Sequence, residues 1–138
     1  MFGNISKRKI LALDLGASRI GVAMAEGNLV STLPTIDSKN REEAIQRILQ
    51  IVRQEMVDKI VLGLPKGNLQ SEDLVRSFAI ELNKAISLPI EFEDETLTSK
   101  EAERMLKNLK VNPQSEKYKK EIDKLSAKLI LEQHLRNK

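Results

Sequence analysis

Apolar positions along the chain follow two periods. Residues 10–15 (ILALDL) and 20–25 (IGVAMA) are short apolar runs separated by a turn containing Gly, Ser and Arg, and they read as paired strands of a hairpin. A third strand is expected at 29–36 (LVSTLPTI), reached through the Gly27-Asn28 turn signal, with Pro34 placing it at a sheet edge. The period then becomes helical. Asn40 can cap a helix to about Met56 whose apolar side carries Ala44, Ile45, Ile48, Leu49, Ile51 and Val52. Residues 60–65 (IVLGLP) form a continuous apolar run of the kind buried in parallel sheets. Ser71 is expected to open a second helix, residues 88–92 (LPIEF) a further strand that runs into Glu93, Asp94 and Glu95, and Thr98 to Glu101 fits a capping box for a third helix to about Leu109. A last helix is expected from about Ser115 to His134.

The order βββ-α-β-α-β-α-α predicts an α/β domain with one mixed five-stranded sheet, three antiparallel strands then two parallel, and helices on both faces. At 138 residues with 41% hydrophobic and 31% charged content, the whole chain, 1–138, suits a single domain with its own core. It carries no apolar run long enough to span a membrane and no secretory leader, so the cytoplasm is the expected compartment. With no cysteine and one histidine, thiolate chemistry and a zinc cluster drop out, leaving oxygen ligands for any metal.

The net charge of +3 is unevenly spread. Residues 107–138 hold nine basic and four acidic side chains, which leaves the first 106 residues at −2. A basic C-terminal third beside an acidic body suits a polyanion held against carboxylates, although a solvated lysine-rich helix would look the same. Three Phe and one Tyr give little support to an aromatic platform for stacked bases.

The carboxylates sharpen this picture. Asp14 ends the first strand, Asp94 and Glu95 end the last, and sites in open α/β sheets form beyond the carboxyl ends of parallel strands. In the final helix Asp123 shares a face with Ser126, Ala127 and Ile130, and small residues there would let the helix bring its acid close to the sheet. The alternative is a solvated surface aspartate. Converging carboxylates would repel one another unless cations intervened, and Mg²⁺ or Mn²⁺ would relieve the repulsion. Two such ions support phosphodiester hydrolysis. Arg19 and Lys66, in turns near the proposed site, are candidate phosphate contacts; Thr98 reads as a helix cap and His134 as an exposed residue near a frayed end.

LDLGASRIGVAM, VLGLPKGN, DETLT and IDKLSAKLIL occur in the order and spacing of the YqgF family, and the chain resembles that family over essentially its whole length. These are RNase H-like proteins described as Holliday junction resolvases and pre-16S rRNA nucleases. The resemblance implies an RNase H-like fold and a metal-dependent nuclease with catalytic, metal-binding acids at Asp14, Glu95 and Asp123, Asp94 assisting. Arg19 matches the arginine of the first motif, and Lys66, Lys124 and Lys128 are expected to join it in holding nucleic acid.

Three departures stand out. Thr96 replaces the family's usual arginine after the acid pair, the loop after GLP is shortened to KGNLQ, and Ser126 replaces an alanine of the last motif. The favoured function is processing of the 5′ end of pre-16S rRNA during ribosome maturation by a Mg²⁺- or Mn²⁺-dependent endonuclease, as a monomer or homodimer. Alternatives are junction cleavage in DNA recombination and repair, a non-catalytic nucleic-acid scaffold, and an actin-like ATPase, whose first phosphate motif DLGASRIGVA also resembles. The ATPase needs two domains, more than this length supplies.

Overall fold

A computed structural model describes residues 7–107, 112 and 114–137, with the backbone alone at 96–99. The elements are β1 (Lys9–Leu15), β2 (Arg19–Glu26), β3 (Leu29–Asp37), α1 (Arg41–Glu55), β4 (Lys59–Leu64), α2 (Leu69–Ala85), β5 (Ile90–Asp94), α3 (Thr96–Lys107) and α4 (Glu116–Arg136). They occur in the expected order. The sheet runs β3-β2-β1-β4-β5, antiparallel through its first three strands and parallel from β1 through β4 to β5.

Position in the sheet explains the strand sequences. β4 is central, and all six residues of KIVLGL are buried. β3 lies at the edge with mostly exposed side chains, and its register against β2 slips by one residue between Ile20 and Val22, next to Pro34. A bulge at an edge tolerates a residue that cannot donate to the ladder.

One face of the sheet packs Leu11, Leu13, Ile20, Val22, Ile60 and Leu62 against Ile45 and Ile48 of α1 and Val75, Phe78 and Leu82 of α2. The other packs Ile10, Ala12, Ala23, Ala25 and Val61 against Ala127, Ile130 and Leu131 of α4. Small residues on β1 and β2 let α4 sit low on its face. Helices therefore cover both faces, as the pattern predicted.

Three boundaries differ from the apolar pattern. α2 starts before Ser71, because the Asn68 side chain accepts the Ser71 N–H at 3.1 Å and is the cap. β5 starts two residues later than the apolar run LPIEF, with the Pro89 carbonyl accepting the Ile60 N–H before the strand begins. α3 begins at Thr96 rather than at the capping box, so Thr98 lies inside the helix and is not its cap. The expected end of α3 at Leu109 falls outside the described residues. Asn40 and Ser115 cap α1 and α4 through their side chains, accepting from Glu43 N and Tyr118 N.

Candidate nuclease site

β1, β4 and β5 are parallel, so their carboxyl ends share one edge of the sheet. Asp14 is the penultimate residue of β1, and Glu95 directly follows β5. Alternation along β1 sends Ile10, Ala12 and Asp14 to the α4 face. There Asp14 lies abreast of Gly21 on β2, and the Leu13–Leu62 pairing puts Gly63 of β4 on its other side. Asp14 is thus flanked by two glycines.

Each glycine makes room for one acid. A Cβ at Gly21 would overlap the backbone carbonyl of Asp123, so this position lets the helix carrying that aspartate press onto the sheet. A Cβ at Gly63 would stand 2.6 Å from Glu95 Oε2 and 2.5 Å from the Ile130 methyl, closing the space in which the Glu95 carboxylate turns toward Asp14. Ser126 and Ala127, one turn beyond Asp123, are buried against the sheet, the close packing their size predicted.

The result is a cluster of like charge. The Asp14 and Glu95 side chains lie close enough to interact directly, acid against acid. Burial first, then Glu95, then Asp123 push the Asp14 carboxyl well above its ordinary range. Asp123 is also raised, by burial above all, with Glu116 adding repulsion while Arg19 pulls the other way. Arg19 Nη1 stands 3.4 Å from Asp123 and Nη2 2.5 Å from Glu116.

The structure therefore brings Asp14, Glu95, Asp123 and Arg19 to one edge. Asp94, the last residue of β5, shares strand parity with Phe92, whose ring lies beneath Arg76 of α2, which assigns it to the face opposite Glu93. Lys66 is exposed in the loop after β4, and Lys124 follows Asp123 on α4. Lys128 lies farther along α4, in a hollow with Asn28, Val30 and Arg136. Lys39 and Lys120 went unnoticed in the sequence; they line a second hollow with Arg19 and Glu116, beside the acids.

His134 corrects the sequence reading outright. It is buried, with Nε2 2.8 Å from Lys59 Nζ and Nδ1 3.1 Å from Glu93 Oε1. An ammonium only donates, so Nε2 accepts from Lys59 and the ring proton sits on Nδ1, donated to Glu93. Gln133 Nε2 donates to Glu93 Oε2 at 2.7 Å and to the Asp94 carbonyl at 2.9 Å. These bonds tie the last turn of α4 to β5, whose acceptors only the folded sheet places there.

Among the described residues, no three acidic or imidazole side chains yet surround one point as metal ligands. The donor set nevertheless fits a hard dication. Three carboxylates face one another, all oxygen donors, and a cation among them would relieve the repulsion that raises Asp14.

Fold and edge together define a chain of the RNase H-like class, carrying its acids where the parallel strands end. RuvC from Thermus thermophilus in complex with a Holliday junction substrate shares the fold, with a TM-score of 0.53 at 13% identity over 94% of this chain and 96% of that one. Residues 8–137 match the RuvX family, described as a Holliday junction resolvase, and the chain belongs to that family. A protein of Chloroflexus aurantiacus is 41% identical over 91% of this chain and 85% of its own length, and one of Roseiflexus sp. is 40% identical over 92% and 93%. Both are named "Putative pre-16S rRNA nuclease". No helix among the described residues is long and apolar enough to cross a membrane.

Proposed function

We propose that this chain is a divalent-metal-dependent endonuclease that processes the 5′ end of pre-16S rRNA in the cytoplasm. The observation that carries the proposal is the convergence of Asp14, Glu95 and Asp123, all partly buried, at the edge where the parallel strands end. Membership of the RuvX family and the names of the relatives supply the reaction class and favour RNA as substrate.

Asp14, Glu95 and Asp123 would hold the metal, Asp123 by releasing Arg19. When bound, a pair of Mg²⁺ or Mn²⁺ ions supplies an activated water and stabilises the leaving oxygen. The protein's own groups do the rest. Gly21 and Gly63 set the spacing of the acids. Arg19, freed from Asp123, remains beside the site to meet a phosphate oxygen, and Lys39, Lys66, Lys120 and Lys124 supply positive charge around it, with Lys128 extending that charge along α4.

A second reading, cleavage of a four-way DNA junction, follows from the description of the family. A precursor rRNA fragment and a four-way junction, each incubated with Mn²⁺ and either the wild type or Asp14→Asn, separate the readings. Cleavage of the RNA by the wild type alone is expected. Cleavage that persists in Asp14→Asn contradicts the site, and no cleavage of either substrate favours a binding scaffold.

A further inference from the structure

A groove of about 370 Å³ opens at the same edge, on the face of the sheet opposite α4. Glu95 and Gly16 line it, so it is continuous with the acid cluster. Its floor is apolar, formed by Leu15 and Ile20 of the first hairpin, Ala44 of α1, and Val75 and Phe78 of α2. Its rim is polar: Ser38 and Arg41 stand on one side and Ser71 on the other. Arg41 is held over the Phe78 ring at 5.9 Å, with its Nη1 3.4 Å from Ser77 and 3.5 Å from Glu81. The acid chemistry uses none of these residues except Glu95.

We infer that this groove receives one unpaired nucleobase of the strand whose phosphate lies at Asp14 and Glu95. The inference rests on the nuclease reading and adds a requirement to it, that the substrate be single-stranded beside the cut. The shape is that of a small-ligand pocket, apolar with a few convergent polar groups, and its volume falls within the usual range of about 300–1,000 Å³. A planar, largely apolar ring with hydrogen-bonding edges fits that lining, with Ser38, Arg41 and Ser71 placed to meet the edges. Recognition of single strands commonly works in this way, by splaying out a base and burying it while its edge is read. Continuity selects the occupant: a group tethered to a phosphate at Glu95 reaches this groove first, and a base still paired in a duplex cannot enter it. The scarcity of aromatic residues, which argues against an extended stacking platform, leaves a single-base pocket open.

The test uses Asp14→Asn, expected to bind without cutting, and a fluorescent single-stranded oligonucleotide in which an abasic residue is moved one position at a time. The groove predicts that one abasic position weakens binding by about tenfold, within the worth of one buried base, while the other positions change little. Ala17 is exposed at the mouth of the groove. Asp14→Asn combined with Ala17→Trp should bind the intact strand about tenfold more weakly and show no abasic sensitivity. Uniform binding across the abasic scan, or unchanged sensitivity with the tryptophan in place, overturns the inference. A separate cleavage assay of the wild type with Mn²⁺ judges the nuclease reading, so a protein that selects a base without cutting would sink that reading and leave the groove standing.

Discussion

Two polar clusters lie beneath α4, and they are built on opposite principles. Toward the helix C-terminus, Glu91 and Glu93 are answered by Lys59, His134, Gln133 and Asn137, so that donors and acceptors match. Toward its N-terminus, Asp14, Glu95 and Asp123 face one another, with Arg19 3.4 Å from Asp123. The first cluster fastens the helix to β4 and β5. The second costs stability, which a structure retains when something else is gained, and perturbed carboxyls in a cleft mark such a place.

If this contrast holds, neutralising one member should have opposite consequences in the two clusters. Asp14→Asn should reduce cleavage by about a thousandfold or more, as removal of a central catalytic group does, while raising the melting temperature of the metal-free protein at pH 7. Lys59→Met leaves His134 and Glu91 facing an apolar chain and should cost about 3 kcal/mol, read as a lower denaturation midpoint. Equal effects of the two substitutions on stability would erase the distinction.

A smaller effect is expected at the glycine that lets α4 descend. Gly21→Ala drives a methyl into the Asp123 carbonyl and should cost about 2 kcal/mol, as overpacking does, with activity falling because the aspartate moves away from Asp14. The pH dependence follows from the raised Asp14 carboxyl. Well below the unfolded aspartate's pKa of about 3.9 the side chain is protonated in both folded and unfolded chains, so wild type and Asp14→Asn should then differ little in stability. As the pH climbs through the raised folded value, only the wild type must give up its proton against burial and repulsion, and it loses stability relative to the variant. A denaturation series from pH 4 to 8 without metal checks the sign. The smallest effect belongs to Lys124→Ala, which should lower the salt dependence of nucleic-acid binding by about one unit of slope.

The same two clusters show what was legible in the sequence. Asp14, Glu95 and Asp123 could be found because each ends a strand or shares a helical face with small residues, features of local spacing that the resemblance reinforced. The roles of Gly21 and Gly63 could not, since neither sits at a turn and their value lies in what approaches from another element. His134 was misjudged for the same reason: its partners Lys59 and Glu93 are 75 and 41 residues away. Order and type of the elements followed from the apolar periods. The starts of α2, β5 and α3 did not, each differing by two residues: the Asn68 cap set the first and pairing with β4 the second.

On this reading the like-charged cluster exists to hold divalent metal. Titration of wild type and Asp14→Asn with Mn²⁺ at pH 7, read as the shift in melting temperature, tests it most directly. The metal-free variant should melt higher, and Mn²⁺ should raise the wild type's melting temperature while leaving the variant nearly unmoved. An equal shift in both proteins, or a metal-free wild type that melts higher than the variant, would contradict it.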